Sequence, residues 1–285
     1  MIYEEITEKI REISLKLLEN KEVDIILAYR GGGVNDLQIP FFVKKGEDVQ
    51  KIEWGDRCYQ NLAPYLRGLE LVAGIAAKPC DARAVVQYIT ENQIKRENVF
   101  IIGIDCAGMV DENGETRPGC GDCKVRKPPV YDAYIRDERV DKQGISPDAR
   151  ENGSLAESHS RFQKEIEKCI LCYACRQACY GCYCKDCFIE RDQPDWQPKD
   201  VDAGTKMTFH MGRTMHLAGR CVECGSCEAS CQSGVNVRYI IKEVTKFIED
   251  TYGYSAGMDA LVKPALLTNA FDDGEIGYLG EEKHG

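Results

Sequence analysis

The chain has 285 residues, the length of one large or two ordinary domains, and 43% of them are hydrophobic, which excludes an intrinsically disordered chain. Lysine and arginine number 37 against 47 aspartates and glutamates, a net charge of −10, so no general electrostatic field draws the chain to nucleic acid or to an anionic membrane.

Ile2, Ile6, Ile10, Ile13 and Leu17 recur at helical spacing and predict an amphipathic helix. Val23 to Tyr29 is a short apolar run that predicts a buried strand, followed by a turn at Gly31-Gly32-Gly33 and a second strand over Leu37 to Val43. Cys58 to Leu69 reads as helical and Leu71 to Ala77 as a strand. Lys78-Pro79-Cys80-Asp81 is a turn, with Asp81 placed to cap a helix that carries Val85, Val86 and Ile89 on one side. Val99 to Ile104 is a strand ending at Asp105-Cys106, so strand, helix and strand make a βαβ unit and a small parallel sheet. Residues 111–155, rich in glycine, proline and charge, read as loop and linker. From Ser158 the pattern turns helical and cysteine-rich, and Val235 to Tyr252 predicts a second amphipathic helix through Val237, Ile240, Ile241, Val244, Phe247 and Ile248. The last twenty residues, with Asp272, Asp273, Glu275, Glu281 and Glu282, read as an acidic tail that is mobile or lies on a partner.

The chain has 16 cysteines, five between Cys58 and Cys123 and eleven between Cys169 and Cys231. Disulfides, zinc and iron–sulfur clusters are the usual causes of such density. The opening residues show no basic segment followed by an apolar one, so no signal peptide is expected, and no apolar run approaches the roughly 18–20 residues of a membrane span. A cytoplasmic chain is the expectation, and in a reducing compartment cysteines in this pattern are metal ligands rather than disulfides.

Cys169, Cys172, Cys175 and Cys179 follow the spacing Cys-x2-Cys-x2-Cys-x3-Cys, and Cys221, Cys224, Cys227 and Cys231 repeat it. A 4Fe–4S cubane needs four thiolates in a tetrahedron. Three cysteines two apart wrap one cluster, and the fourth points away to the other cluster of a two-cluster ferredoxin. That assigns Cys169, Cys172, Cys175 and Cys231 to one 4Fe–4S cluster and Cys179, Cys221, Cys224 and Cys227 to a second. Zinc is the competing reading, but its knuckles come as pairs rather than quartets.

With helices on both sides, the text His216-Leu-Ala-Gly-Arg220-Cys221-Val-Glu-Cys224-Gly225-Ser-Cys227-Glu-Ala-Ser-Cys231 resembles the α-helical dicluster ferredoxin of heterodisulfide reductase and related respiratory subunits. Cys182, Cys184 and Cys187 follow at once. They serve a local structural role, stand as alternative ligands for the first cluster, or belong to a further metal site.

Cys80 and Cys106 sit at the ends of the two strands of the βαβ unit. In a parallel sheet the carboxyl ends of adjacent strands share one edge, where sites are built. The two are therefore expected to be neighbours, with the loop of Cys120-Gly-Asp-Cys123 folded over them, four thiolates suited to a third 4Fe–4S cluster. Lys78-Pro79-Cys80-Asp81, Ile101-Ile102-Gly103-Ile104-Asp105-Cys106 and Gly119-Cys120-Gly-Asp-Cys123, ending near Tyr131-Asp132, resemble the β-subunit family of deazaflavin-dependent hydrogenases and formate dehydrogenases over residues 20–135. The resemblance implies one 4Fe–4S cluster on Cys80, Cys106, Cys120 and Cys123, together with FAD. The family's domain is much longer, and most of its C-terminal part is expected to have no counterpart here. Cys58 is a candidate fifth ligand; otherwise Cys58, Cys182, Cys184 and Cys187 remain, and a fourth metal site or a zinc ion would need them to meet.

Gly31-Gly32-Gly33 follows a strand as a flavin-phosphate loop would, but lacks the G-x-G-x-x-G spacing and precedes a strand, so a hairpin-like turn is the favoured reading. His210 and His216 read as packing or surface residues rather than ligands. Arg176 and Arg220 stand beside the clusters, where they tune potential, dock partners or are simply solvated. No Ser/His/Asp set and no P-loop is present.

The expected organisation is an α/β N-terminal domain over residues 1–150 with a small parallel sheet, a mainly α-helical dicluster ferredoxin domain over 151–262 and the acidic tail over 263–285. The expected function is an electron-transfer subunit with about three 4Fe–4S clusters. It would relay electrons between partner subunits of an anaerobic oxidoreductase complex: a flavoprotein and a catalytic hydrogenase, dehydrogenase, methylene-tetrahydrofolate reductase or heterodisulfide-reductase-like enzyme. The alternatives are a flavin-bearing subunit acting on a deazaflavin or nicotinamide, and a structural zinc or metal-sensing protein.

Overall fold

The computed structural model describes residues 2–142, 155–190 and 200–264. The expected domain boundary near residue 150, part of the 111–155 linker and nearly all of the acidic tail lie outside the described residues.

Helix α1 (Ile2–Glu19) buries Ile6, Ile10 and Leu17. Thr7 fixes it to the following chain, its hydroxyl accepting from Trp54 N at 3.0 Å. The five strands are β1 (Ile25–Arg30), β2 (Ile39–Val43), β3 (Ala73–Ala77), β4 (Val99–Ile104) and β5 (Ala133–Ile135), in the order β2-β1-β3-β4-β5. β1, β3, β4 and β5 run parallel, and the buried apolar runs of β1, β3 and β4 are what a sheet covered on both faces requires. The sheet is mixed at one edge, because β2 pairs antiparallel with β1. That is the geometry a hairpin-like turn at Gly31–Gly33 demands.

Two expectations need correction. No α-helix spans Cys58 to Leu69; only a short 3-10 turn forms over Ala63–Leu66. Pro64 has no N–H to continue a helix, and the backbone before it bonds to side chains instead. Asn61 accepts from Ala63 N at 2.9 Å and Asp81 from Leu62 N at 2.9 Å. The stretch read as loop and linker holds β5 and the short helix α3 (Pro118–Gly121). β5 has three residues, too few to show a period.

Helix α2 (Pro79–Thr90) starts on a proline at its first position. Asp81 caps it from inside the first turn, accepting from Lys78 N at 3.0 Å. The rest is helical: α4 (Leu155–Glu167), α6 (Ala203–His216) and α8 (Val237–Tyr252) surround two short helices, α5 (Ala174–Gln177) and α7 (Ser226–Ala229). One core joins the sheet, α1 and α2 to Tyr180, Val222, Ile248 and Tyr254 of the helical half. A second core lies among Leu171, Cys175, Phe209, Leu217, Val237 and Ile241. Among the described residues no helix is long and apolar enough to cross a membrane.

Candidate metal centres

The two ferredoxin-like quartets share one backbone design. In the first, Leu171 and Tyr173 on either side of Cys172 are left-handed, at φ 54° and 59°. In the second, Glu223 and Gly225 on either side of Cys224 are left-handed, at φ 56° and 72°. For residues with a Cβ this conformation costs roughly 1–2 kcal/mol each, and such strain gathers at functional sites. It turns the chain so that amides face inward, the kind of concavity that holds iron–sulfur groups. Leu171 N donates to Cys169 Sγ at 3.3 Å, and Glu223 N to Cys221 Sγ at 3.4 Å. Tyr173 and Gly225 then open the short helices α5 and α7, which carry Cys175 and Cys227 and pack on each other.

The fourth cysteine of each run acts on the thiols of the other run. Burial pushes the Cys169 thiol up, and the thiols that add to this are Cys231 and Cys172. Cys175 is likewise raised by burial, opposed by Arg213, with Cys169, Cys231 and Cys172 beside it. Cys221 is raised by burial and then by Cys179, Cys224 and Cys227. The thiols that act on one another are thus Cys169, Cys172, Cys175 and Cys231 in one group and Cys179, Cys221, Cys224 and Cys227 in the other. Arg213, 4% exposed, lies between them. It donates to Cys175 O at 3.2 Å and is acted on by Cys179, Cys227, Cys182 and Cys175.

The third quartet forms at the carboxyl edge of the sheet. Cys80 follows β3 and Cys106 follows β4, and these strands are adjacent and parallel. Cys120 and Cys123 come from α3 and the turn after it. All four line one cavity with Lys78, Arg83 and Met109. Burial pushes the Cys106 thiol up to about 12, with Cys120 and Cys123 adding to the shift. Gly108 N donates to Cys106 Sγ at 3.4 Å from a backbone at φ 106° that favours glycine.

Val222, Glu223 and Cys224 close the same cavity. Cys224 is one of the groups that raise Cys80. Asn61 spans the junction: its amide donates to Cys80 O at 3.1 Å, and its backbone N donates to Ser226 Oγ at 3.3 Å. Arg83 donates to Ala256 O at 2.9 Å and to Val222 O at 3.4 Å. Glu91 at the end of α2 accepts from Arg220 Nε at 2.6 Å.

A buried cation stands beside the third quartet. Lys78, 1% exposed, pairs with Asp81 at 2.7 Å, donates to Gln60 O at 3.0 Å and to the Tyr29 hydroxyl, and lies 4.6 Å from the Tyr29 ring centre. Burial opposes its charge, but Asp81 and Cys80 more than restore it, so the ammonium stays protonated. Lys78 and Arg213 were not legible as site residues, because a charged side chain in sequence carries no sign of its burial.

The remaining candidates divide. Cys58 is walled into the α/β core, accepting from Gly55 N at 3.3 Å, and burial pushes its thiol up to about 12. Cys182, Cys184 and Cys187 line a separate cavity with Arg176, Arg213, Arg220 and His216, and Cys58 takes no part in it. Cys182 is hydrogen-bonded to Cys179, which holds the Cys179 thiol down and its own up. Arg176 and Arg220 are paired, with Glu190 and Glu91. His210, 2% exposed, stands edge-on to Phe209 at 5.0 Å, and burial with Arg213 pushes it down to about 4. His216 lies edge-on to Phe188 at 5.2 Å. The Gly31–Gly33 loop joins two antiparallel strands. Its glycines have local causes: a Cβ on Gly31 would stand 2.3 Å from Glu53 Oε2, and one on Gly33 2.4 Å from Leu37 O.

Among the described residues no three Cys, His, Asp or Glu side chains close up around a single metal ion. Four thiolates on one zinc at about 2.3 Å stand ~3.8 Å apart, whereas irons and sulfides hold the thiolates of a cubane wider. The donor sets are all thiol, the ligand chemistry of iron–sulfur clusters.

No family model matches the chain. It is similar to the F420-dependent formate dehydrogenase subunit beta of Methanocaldococcus jannaschii, 24% identical over 349 residues, covering 87% of this chain and 91% of the relative. It is also similar to the F420-dependent formate dehydrogenase 1 subunit beta of Methanococcus maripaludis, 22% identical over 354 residues, covering 88% and 90%. The likeness is therefore not confined to residues 20–135 but takes in the cysteine-rich half, and it reaches most of each relative. The first alignment runs over 349 positions but covers 87% of the 285 residues here, about 248, so about 100 positions of the relative have no counterpart.

Proposed function

We propose that this chain is an electron-transfer subunit of an oxidoreductase complex, in which three 4Fe–4S clusters relay electrons between a partner at the sheet edge and a partner at the helical end. The carrying observation is that Cys80, Cys106, Cys120 and Cys123 line one cavity with Cys224 of the neighbouring quartet. The order of centres is then the sheet-edge quartet, the Cys179 quartet and the Cys169 quartet. Bound at these thiols, each cluster takes up and releases one electron, at a potential set by burial, charge and hydrogen bonds to sulfur. The protein supplies the rest: amides on Cys106, Cys169 and Cys221, and the buried cations Lys78 and Arg213. The relatives' names support a place beside the catalytic subunit of a formate dehydrogenase or similar enzyme.

A second reading has its own support. Both relatives are named F420-dependent and the likeness spans most of the chain, which favours a flavin-bearing subunit that oxidises or reduces a deazaflavin.

Anaerobic purification with iron, sulfide, zinc and flavin counted together tests both. The relay requires at least about twelve irons with matching sulfide, four for each cubane. Stoichiometric FAD beside them supports the second reading, and zinc in place of iron overturns both.

A further inference from the structure

We propose that Cys182, Cys184 and Cys187 hold a fourth centre, an iron–sulfur cluster bound by three protein thiolates. The three fall within six residues of irregular chain, and their side chains line one cavity. No cysteine of the three quartets lines that cavity, although Cys182 at its edge is hydrogen-bonded to Cys179 of the second quartet.

The walls favour an anionic group. Arg176, Arg213 and Arg220 all face the cavity, with Phe188 and Phe209 as its apolar lining. Arg176 and Arg220 have carboxylate partners. Arg213 is 4% exposed and pairs with no carboxylate among the described residues, and its Nε has no hydrogen-bond partner there; nor does Nε of Arg176. A buried guanidinium with an unused donor is costly unless negative charge meets it. Arg213 also faces Cys179, Cys227 and Cys175 of the neighbouring quartets, and thiolates with a cluster among these residues would place negative charge beside the unused Nε donors of Arg176 and Arg213.

The cavity, about 250 Å³ and lined by three thiols, has room for a cluster. Three thiolates leave one iron of a cubane without a cysteine, and the arginines make that corner favourable for a small anion.

The proposal rests on the iron–sulfur reading above, and the two fail differently: failure of that reading removes iron from the whole chain, failure of this one leaves the count at the level of three clusters. Anaerobically purified full-length protein is weighed by native mass spectrometry, and its iron and sulfide are counted. About sixteen irons and sixteen sulfides are expected, four for each cubane. The triple variant Cys182→Ala, Cys184→Ala, Cys187→Ala is expected to lose a quarter of both. Cys184 is exposed, so Cys184→Ala alone reads the same loss without removing a packed side chain. About twelve irons in wild type, unchanged in both variants, overturn the proposal. Loss of one zinc at unchanged iron overturns it too, in favour of an ion on the three cysteines and His216.

Discussion

Arg238 on α8 donates to Asp122 at 3.0 and 3.2 Å, joining two residues 116 positions apart. Asp122 stands between Cys120 and Cys123, and the same guanidinium lies 3.9 Å from Glu223 and 3.5 Å from Glu228 of the second quartet's loop. One side chain thus spans the sheet-edge quartet and its neighbour. Arg238→Gln leaves Asp122 with Lys242 and removes the cation that lies 3.5 Å from Glu228. Breaking a buried pair from one side is expected to cost about 3 kcal/mol. Thermal unfolding measures this, with loss of iron from the sheet-edge centre accompanying it. A variant as stable as wild type would deny the clamp.

Acid weakens the second clamp. Burial pushes the Glu91 carboxyl up, but Arg220, the Tyr183 hydroxyl and Gln87 outweigh it and hold it below its ordinary 4.5. A carboxyl that ionises more easily folded than unfolded stabilises above its unfolded value and loses that contribution as pH falls through the folded value. Glu91→Gln is expected to cost about 1–3 kcal/mol near neutrality. The gap from wild type should close as pH drops below 4.5, and a gap that does not change with pH contradicts the ion pair's role.

Gly225 tests the cluster loop without altering its packing. At φ 72° it has no atom within 4 Å of where a Cβ would stand, so only backbone strain separates one replacement from another. Gly225→Val is expected to cost about 1–2 kcal/mol and Gly225→Asn much less, because asparagine tolerates the left-handed region. Denaturant unfolding of the pair decides it; equal costs would mean that the turn is not held as described.

Much of this was legible because periodicity and spacing are local. β1, β3, β4, α2 and α8 follow from apolar patterns. The adjacency of Cys80 and Cys106 follows from parallel strands sharing an edge. β5 was hidden because Ala133–Ile135 is too short to show a pattern. The helix read over Cys58 to Leu69 failed because Pro64 and the side chains of Asn61 and Asp81 took over the backbone's hydrogen bonds. The meeting of Cys80 with Cys224 depends on the docking of α2 and α8, through Arg83, Arg238 and Asn61, which no local pattern encodes.

Lys78 places a buried positive charge beside Cys80. Lys78→Gln keeps a donor for Asp81 and removes the charge. At an effective dielectric near 20, losing that charge is worth on the order of 1–2 kcal/mol to a nearby electron, or ~40–90 mV. The sheet-edge centre alone should become harder to reduce by that amount in a redox titration. An unmoved potential would mean that Lys78 serves packing only.

The central claim is a continuous relay from the sheet-edge quartet through the Cys179 quartet to the Cys169 quartet. Electron paramagnetic resonance of the fully reduced protein tests it most directly. At least three spins per chain are expected, broadened by mutual magnetic coupling. Cys106→Ala should remove one spin and narrow the signal of the Cys179 quartet while leaving that of the Cys169 quartet unchanged. Three sharp, independent signals, or a Cys179-quartet signal indifferent to that substitution, would contradict the relay.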